Sequence, residues 1–179
     1  NDVILASDEI HAELELGENR FVPAAKANLK IANQSITFTS ASKAFNVPGL
    51  FCGFAIIPDQ KLRYQYEREL NRLTLHTGPL GMIAAEVAYS GVCDGWLSNL
   101  KEYLAENRQF AVDFITAHIP KARFAIPEAT YLMWLDFRDY NLKPSPARFF
   151  LDKARVALSD GRIFGKEGDY ITAAEMPMF

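Results

Sequence analysis

The chain has 179 residues, 49% of them apolar or aromatic, which is enough to bury a core in one large or two small domains. Its formal net charge is −3 with charges of both signs interspersed, which excludes the basic face of a nucleic-acid-binding or membrane-surface protein. No run approaches the ~20 apolar residues of a membrane-spanning helix, and the first residues lack the pattern of a signal peptide.

The two cysteines indicate a reducing environment. Cys52 and Cys93 are far apart, form no C-x-x-C pair, and are expected to be reduced. We therefore expect a cytoplasmic protein whose partners are small molecules or protein, with no nucleic acid and no membrane among them.

The first half of the chain predicts short buried strands separated by turns and helices. Three continuous apolar runs are typical of parallel strands covered on both faces, at residues 3–7, 36–39 and 51–57. Residues 13–33 predict a loop with one helical turn. Helices are predicted at 59–73, with Asp59 as N-cap, and at 78–89, where the sequence is rich in alanine. The apolar stripe of the first of these helices comprises Leu62, Tyr66, Leu70 and Leu73.

The second half predicts one long helix followed by a small mixed lobe. The helix spans residues 94–119, and Pro120 ends it. Its apolar side is expected to comprise Leu97, Leu100, Leu104, Phe110, Phe114 and Ile115. The pattern then predicts paired strands at 123–126 and 131–137, a helix at 146–153 and an edge strand at 156–158. We expect an α/β protein with part of a large domain at 1–92, built on a mostly parallel sheet, and a bridging helix with a small α+β domain at 93–179.

Polar side chains follow the first two predicted strands directly. Asp8, Glu9 and His11 come after the first strand. A turn over residues 40–49, which contains Lys43, follows the second. Because the carboxyl ends of parallel strands meet at one edge of an open sheet, these residues are candidates for a single site. Taken alone, Lys43 is either a solvated turn residue or an amine held in a pocket for chemistry.

Two interpretations of these residues involve no organic cofactor. In the first, the acidic residues only cap a turn, and the three histidines lack metal-ligand spacing, so no metal site is expected: His11, His76 and His118. The second is a nucleoside triphosphatase, because residues 8–11 resemble the D-E-x-H box of helicases and residues 40–42 are similar to their S-A-T turn. The absence of a G-x-x-x-x-G-K-[ST] loop from the sequence counts against this second interpretation.

A third interpretation is an enzyme that uses pyridoxal 5′-phosphate (PLP). A lysine amine can hold this cofactor covalently and then remove the Cα proton of an amino-acid substrate. An aspartate opposite the pyridine nitrogen keeps that nitrogen protonated, and hydroxyl groups near the lysine can bind the phosphate. Asp8 follows one strand, and Ser40, Ser42 and Lys43 follow the next, so the sequence supplies every group that this chemistry requires.

The motif Asp8-Glu9-Ile10-His11, followed by Ser40-Ala41-Ser42-Lys43-Ala44-Phe45-Asn46-Val47-Pro48-Gly49-Leu50, resembles a known family. This is the class I/II aminotransferase family of fold-type I PLP-dependent enzymes. The likeness is strongest to its carbon–sulfur β-lyase branch, which includes cystathionine β-lyases and often has D-E-I-H where transaminases commonly have D-x-x-Y. It continues through residues 96–107, 130–136 and 156–168, and so covers nearly the whole chain.

The resemblance implies a role for each candidate residue. Lys43 would hold PLP covalently and take the substrate's Cα proton, and Asp8 would face the pyridine nitrogen. His11 would lie beside the ring hydroxyl, where the family usually has a tyrosine, although a plain strand-end histidine is an equal alternative. Ser40, and with less support Ser42, would contact the phosphate.

The implied reaction is β-elimination from cystathionine or a cysteine S-conjugate, which yields pyruvate, ammonia and a thiol. Transamination of an amino acid is the alternative within the family, since both reactions begin with removal of the same proton. The resemblance also implies a homodimer in the complete enzyme, with the site at the subunit boundary.

Two positions depart from the family pattern. Phe51 stands where many aminotransferases place a phosphate-binding arginine, which favours elimination over transamination. Thr172 stands where the family has the arginine that binds the substrate carboxylate, when Tyr170 and Ile171 are aligned with the strand that contains it. The usual substrate anchor is therefore expected to be absent.

The family's amino-terminal half has no counterpart in this sequence. That half contains the glycine loop at the phosphate, the aromatic residue that stacks on the cofactor and the asparagine at the ring hydroxyl. Strands 3–7 and 36–39 are expected to lack the neighbours that would bury them. We expect a carboxy-terminal portion of such an enzyme, which by itself packs poorly and does not hold PLP stably, or else a non-catalytic remnant.

Overall fold

A three-stranded sheet organises the first of two compact units, Asn1–Ser98, in the computed structural model, which describes residues 3–165, 168–169 and 171–175. In side-by-side order, its strands are β1 (Leu5–Asp8), β2 (Ser35–Thr39) and β3 (Phe54–Ile56). β1 runs parallel to β2, with Asp8 opposite Phe38. β2 runs antiparallel to β3, with Thr39 opposite Phe54. The α/β class expected from the sequence is confirmed.

Four helices are present among the described residues of this unit. They are α1 (Leu29–Asn33), α2 (Ala41–Ala44), α3 (Gln60–Arg72) and α4 (Pro79–Tyr89), with 3-10 turns at Ala24–Lys26 and Pro48–Leu50. The predicted N-cap of α3 is confirmed, because the Asp59 carboxylate accepts a hydrogen bond from the Leu62 amide at 2.7 Å. The apolar stripe faces the sheet at Tyr66, whose ring centroid lies 6.1 Å from that of Phe38. Leu73, by contrast, follows the last helical residue and is exposed.

The direction of β3 differs from the mostly parallel arrangement that the sequence predicts. Between β2 and β3 the chain forms only α2 and one 3-10 turn, which are too short to return it to the opposite end of the sheet. The chain therefore re-enters the sheet at the end that it has just left. The strand is also shorter than the predicted range 51–57, since regular pairing begins at Phe54.

β1 and β2 differ in how well they are covered. The apolar residues Val3, Ile4 and Leu5 are all exposed, and 55% of the surface of Ile4 is accessible. The side chains of β2, which has a neighbouring strand on each side, are buried or half-buried throughout. The predicted burial on both faces is thus wrong for β1. The exposure expected from missing neighbours is confirmed for β1 and wrong for β2.

An antiparallel sheet is present in the described residues of the second unit, Asn99–Phe179. The longest helix, α5 (Asp94–His118), begins in the first unit, continues into the second and agrees closely with its prediction. The further elements are β4 (Leu132–Asp136), α6 (Pro146–Ala154), β5 (Ser159–Asp160) and β6 (Ile171–Glu175), with 3-10 turns at Arg138–Tyr140 and Gly161–Phe164. The strand order is β4-β6-β5.

Two strand predictions in this unit are wrong. Of residues 123–126, Arg123 alone pairs with β4, as an isolated bridge to Asp136, and the main partner of β4 is β6. The edge strand predicted at 156–158 lies instead at 159–160, as β5. Residues 166–167, at the end of the segment that resembles the family, lie outside the described residues.

A cluster of apolar side chains between β4 and α5 forms the core of the second unit. Met133 and Leu135 of β4 are buried together with Val112 of α5 and with Phe137. Exposed residues alternate with these along β4, which is the pattern of a strand with one covered face. The described residues of the second unit thus form a hydrophobic core of their own.

The predicted apolar side of α5 is only partly correct. Leu100 and Leu104 are buried as expected, whereas Phe110 and Phe114 are exposed. These two rings are one helical turn apart and stack on each other, with centroids separated by 6.0 Å. A self-stacked pair on the outer surface explains why apolar periodicity alone placed them on the inner side.

Asp160 joins three parts of the second unit. Its carboxylate accepts hydrogen bonds from the Arg162 guanidinium at 2.6 Å and from the Ser145 hydroxyl at 3.2 Å. Ser145 is itself buried and is the N-cap of α6. The hydrogen bond from Arg162 lowers the pKa of Asp160 to about 2, so this carboxylate stays ionised over most of the pH range.

Candidate active site

The carboxyl ends of β1 and β2 place two groups of predicted site residues at the same edge of the sheet. Asp8 is the last residue of β1, and the Glu9 amide continues the pairing by donating to the Phe38 carbonyl at 2.8 Å. Two residues after Phe38, Ser40 begins the turn that contains Lys43. The parallel pairing therefore brings the Asp8 and Ser40 segments together, as the strand order predicted.

Ser40 acts first as a structural cap. Its hydroxyl oxygen accepts a hydrogen bond from the Ser42 amide at 3.0 Å, which starts α2. The same hydroxyl lies 2.6 Å from the Cys52 carbonyl, to which it donates, and 2.7 Å from the Ser42 hydroxyl. Because Ser40 has one hydroxyl proton and uses it on Cys52, the proton shared between the two hydroxyls is that of Ser42, which donates to Ser40.

Lys43 lies in the last turn of α2 and is half-buried. Ala41 and Ala44 lie on one face of α2 and are buried, so these two small side chains anchor the short helix. Asn46 then ends the turn in the left-handed conformation, with φ 53°, which asparagine adopts more readily than most residues. The lysine thus extends from a firmly seated turn.

His11 shows that the separate segments converge. Burial lowers the pKa of its imidazole, the positive charge of Lys43 lowers it further, and the negative charge of Asp8 raises it. The charges of both residues thus act on this imidazole. With its pKa below the ordinary value of 6.5, His11 is neutral at physiological pH.

Glu9 has a structural role in the same segment. It is 8% exposed, and one carboxylate oxygen accepts hydrogen bonds from the Ser7 hydroxyl at 2.9 Å and the Ala24 amide at 3.0 Å. These bonds fasten the loop before α1 to the end of β1. These bonds give Glu9 a structural role at the loop, which weakens the triphosphatase interpretation.

The face of α4 that supports the lysine turn is built from small residues. Gly81, Ala85 and Ala88 are buried. A Cβ atom on Gly81 would lie 2.5 Å from the Leu50 carbonyl oxygen and 3.0 Å from the Cys52 Cβ atom. The sequence predicted close packing from the alanine content of this helix, but it did not identify the turn after β2 as the partner.

An open groove of about 710 Å³ borders the site at Asp8 and Ser40. It lies between β3 and α3, where Arg63, Tyr66 and His76 contribute to its lining. The Arg63 guanidinium donates to the Ile57 carbonyl at 2.6 Å and is therefore partly occupied. The groove extends the site away from Lys43, which is not among its lining residues.

The two positions that depart from the family pattern contain no cation. Phe51 is 84% exposed and adopts the left-handed conformation, with φ 48°. Thr172 is fully buried in β6, where its hydroxyl donates to the Ser159 carbonyl at 2.7 Å. Tyr170, which anchors the alignment at this point, lies outside the described residues.

The cysteines, the possible metal ligands and the helix lengths of the described residues were also compared with the predictions. Cys52 and Cys93 are both free, as predicted. Across residues 3–165, 168–169 and 171–175, no three His, Cys, Asp or Glu side chains are grouped so that they could bind a metal ion. No helix in the described part of the chain is long and apolar enough to cross a membrane.

Comparison with known proteins identifies the family. The family model for aminotransferase class I and II matches residues 1–177. The chain therefore belongs to the class I and II aminotransferase family, and the fold expected from the resemblance is confirmed.

Several named relatives are cystathionine beta-lyases or C-S lyases, and others are aminotransferases. The chain is 34% identical to cystathionine beta-lyase PatB of Bacillus subtilis over 169 residues, which is 93% of this chain and 43% of that protein. It superimposes with a TM-score of 0.92 and 28% identity on cystalysin from Treponema denticola, whose structure contains a pyridoxal 5′-phosphate cofactor, over 98% of this chain and 45% of that one. A PLP-bound C-S lyase from Staphylococcus hominis gives a TM-score of 0.84 and 32% identity over 98% and 45% of the two chains. The chain thus spans less than half the length of the relatives that it matches.

Proposed function

We propose that this chain is the lysine-containing part of a PLP-dependent carbon–sulfur β-lyase that acts on cystathionine or a cysteine S-conjugate. The observation that supports it most directly is the parallel pairing of β1 and β2, which places Asp8 and the turn containing Lys43 at the same edge of the sheet. An amine and a carboxylate that converge at the carboxyl edge of a sheet match the two groups that PLP chemistry requires. The names of the relatives at 32% and 34% identity support the choice of a lyase.

The residues present fit PLP by their chemistry. Lys43 would hold the cofactor covalently, and Asp8 would pair with the pyridine nitrogen. Ser42 would turn its hydroxyl proton from Ser40 to the phosphate, and Ser40 would keep the turn in shape through its bonds to the Ser42 amide and the Cys52 carbonyl. His11, being neutral, would form a hydrogen bond with the ring hydroxyl. When bound, PLP supplies an electron sink that stabilises the carbanion left by removal of the Cα proton.

The protein's own part in the reaction centres on one proton. The Lys43 amine takes the proton from Cα, and the electron pair released there expels the thiolate from Cβ. Water then converts the aminoacrylate product to pyruvate and ammonia, and the thiolate leaves as a thiol after protonation. Asp8, opposite the pyridine nitrogen, would favour the protonated form of that nitrogen.

Elimination is favoured over transamination by Phe51. An exposed aromatic side chain stands where many transaminases place a phosphate-binding arginine. In transamination, Lys43 would return the proton to the cofactor, and no group would leave Cβ of the substrate. In elimination, the thiolate leaves Cβ. The measured product therefore separates the two reactions.

Further features of the proposal concern the whole protein. Residues 1–92 would be part of the PLP-binding large domain, and residues 93–179 would be the bridging helix and small domain. The complete enzyme would be a cytoplasmic homodimer. The free cysteines and the family resemblance support these statements.

Covalent trapping on the chain joined to the amino-terminal portion that its relatives possess tests the assignment of Lys43. The joined protein is incubated with PLP, borohydride fixes any amine–carbonyl linkage as a secondary amine, and peptide mass mapping locates the label. We expect Lys43 to be modified ahead of exposed lysines such as Lys61, and Lys43→Ala to abolish that label while Lys61→Ala leaves it intact. Equal labelling of Lys43 and the exposed lysines would contradict the proposal.

Product analysis tests the reaction type. When the chain is joined to the amino-terminal portion that its relatives possess, we expect cystathionine to yield pyruvate without an added keto acid. Keto-acid-dependent amino transfer with no pyruvate would instead identify a transaminase. Loss of the activity in Lys43→Ala, but not in Lys61→Ala, would connect it to the proposed residue.

A further inference from the structure

Glu9 lies between Asp8 and the turn that contains His11, and its backbone is held on both sides. Its amide donates to the Phe38 carbonyl at 2.8 Å, which carries the pairing with β2 one residue beyond the end of β1. Its carbonyl accepts a hydrogen bond from the Ala12 amide at 3.0 Å, which starts the turn after the strand. The backbone of Glu9 therefore belongs both to the edge of the sheet and to the turn that presents His11.

The side chain of Glu9 connects this strand end to a third segment. One carboxylate oxygen, Oε1, accepts hydrogen bonds from the Ser7 hydroxyl at 2.9 Å and from the Ala24 amide at 3.0 Å. Ala24 begins the 3-10 turn before α1, 15 residues further along the chain. Because Glu9 is only 8% exposed, water competes little for these bonds. The carboxylate therefore fastens the strand end to a loop that is distant in sequence.

The direction of the Asp8 carboxylate depends on the conformation of Glu9. Asp8 is exposed while Glu9 is buried, as expected for neighbouring residues of a strand, whose side chains point to opposite faces. The Asp8 oxygen Oδ1 accepts a hydrogen bond from the Ile10 amide at 3.2 Å. Since Asp8 and Ile10 are the two sequence neighbours of Glu9, a change in the backbone at Glu9 would move both partners of this bond.

The turn that contains His11 is held at both of its ends. At the far end, the Leu14 amide donates to the His11 carbonyl at 3.0 Å, and the Leu14 side chain is fully buried. At the near end, Glu9 supplies the carbonyl that accepts from Ala12 and the carboxylate that is bound to Ala24. The half-buried His11 lies between these two anchors, so its position depends on Glu9 as well as on Leu14.

We propose that Glu9 is a positioning residue of the candidate active site, whose bound carboxylate fixes Asp8 and His11 relative to the turn that contains Lys43. The inference rests on the proposed function of Lys43. Glu9 touches no reacting atom and acts through the backbone on either side of it. The reach of the side chain matters more than its charge, because both bonds are accepted by one oxygen that a glutamine amide also possesses.

Two substitutions separate the reach of the Glu9 side chain from its charge. Glu9→Gln removes the charge and keeps the oxygen that accepts both bonds. Glu9→Asp keeps the charge but is one methylene too short to hold both the Ser7 hydroxyl and the Ala24 amide. We expect Glu9→Gln to resemble the wild type and Glu9→Asp to resemble Glu9→Ala, whereas a role of the charge alone would give the reverse. Glu18→Ala is the matched control, since Glu18 is an exposed glutamate of the following loop.

The first measurement is an NMR titration of the His11 imidazole, in the chain joined to the amino-terminal portion that its relatives possess and without PLP. Because burial and the charge of Lys43 lower the pKa of His11, loosening this segment should raise it toward 6.5. We expect the pKa to rise by roughly 0.5 in Glu9→Asp and Glu9→Ala, and to stay at the wild-type value in Glu9→Gln and Glu18→Ala. His118, exposed at the end of α5, is an internal reference.

Two results of this titration overturn the proposal. The first is an unmoved His11 pKa in Glu9→Asp and Glu9→Ala, even if the melting temperature falls, because a merely structural role would lower stability without displacing His11. The second is a rise in Glu9→Gln as large as that in Glu9→Asp, because glutamine keeps the reach of the side chain. If Glu9→Ala does not fold, the comparison of Glu9→Asp with Glu9→Gln decides.

Trapping of PLP on Lys43 in the same joined protein separates this inference from the proposed function. The PLP concentration that gives half of the maximal Lys43 label should rise about tenfold in Glu9→Asp, because a displaced Asp8 would lose its bond to the pyridine nitrogen, and should change little in Glu9→Gln. Unchanged labelling in Glu9→Asp, with an unmoved His11 titration, would overturn the role of Glu9 and leave the proposed function standing. Absence of preferential Lys43 labelling in the wild-type protein would overturn the proposed function itself.

Discussion

The sheets of the two units are covered in different ways. In β4 exposed and buried residues alternate, and Met133 and Leu135 lie in a core with Val112 of the same unit. The apolar residues that lead into β1, Val3, Ile4 and Leu5, show no such alternation, because all three are exposed. A strand with one apolar face is completed by a single covering layer, whereas a strand that is apolar on both faces needs two layers.

The second unit therefore buries its own core, whereas the sheet of the first unit leaves apolar residues exposed at one edge. The second unit supplies α5 as the layer that β4 requires. The described residues of the first unit leave β1 uncovered, and the Bacillus subtilis relative has more than twice the length of this chain. Stability and active-site geometry should therefore respond differently to mutation in the two units.

The largest expected effect is in the core of the second unit. Met133 is 2% exposed, so Met133→Ala should lower the free energy of unfolding by about 2–5 kcal/mol through lost burial and the cavity that remains. The matched change in the first unit, Ile4→Ala, should cost less than about 1 kcal/mol because Ile4 is already largely exposed. Urea denaturation followed by circular dichroism measures both. Similar losses in the two variants would show that β1 is covered in solution, and the contrast would fail.

A smaller effect is expected at the best-packed contact of the first unit. Gly81→Ala places a Cβ atom 2.5 Å from the Leu50 carbonyl oxygen, so α4 or the turn must shift, at a cost of about 1–3 kcal/mol. Gly95→Ala is the control, because nothing lies within 4 Å of its Cβ position in α5. That variant should be neutral or more stable by up to about 1 kcal/mol. Thermal denaturation of both variants tests this contact, and an unaffected Gly81→Ala would mean that α4 does not seat the lysine turn closely.

The smallest expected effect is the pH dependence, which also differs between the units. The pKa of His11 is lower in the folded than in the unfolded chain, so its contribution to stability is fully present above pH 6.5 and is lost as the pH falls toward the folded pKa. The pKa of Asp160 falls from 3.8 to about 2, so its contribution is present above pH 3.8 and is lost only as the pH drops toward 2. Melting temperatures measured against pH should show the first step disappear in His11→Asn and the second in Asp160→Asn. A near-neutral step that persists without His11 would assign it to another group.

Local signals in the sequence predicted much of the fold. Asp59 caps α3 as expected because a side-chain cap depends only on residues within one turn. The strand ends were also predictable, since a buried apolar run followed by Asp8 or by Ser40 marks where β1 and β2 stop. The residues of the candidate site could be predicted because they directly follow those strand ends, and the carboxyl ends of parallel strands lie at one edge of a sheet.

Long-range pairing could not be predicted in the same way. β4 pairs with β6, which lies far along the chain, and the nearby residues 123–126 contribute only one bridge. The helix face formed by Phe110 and Phe114 was misassigned because periodicity does not distinguish a buried stripe from a self-stacked surface pair. The contacts of Tyr89 with Phe45 and Phe54 were missed for a similar reason, since they connect segments that are remote in sequence.

The position of β1 at the edge of its sheet has a practical consequence for handling the chain. Among the described residues β1 is paired on one side only, so its outer side presents unsatisfied backbone amides and carbonyls next to the exposed run of Val3, Ile4 and Leu5. An exposed strand edge beside apolar residues is a template on which identical strands can add to one another. Concentrated preparations should therefore be prone to aggregation through this edge, and a lysine in place of Ile4 should improve solubility by making strand addition costly.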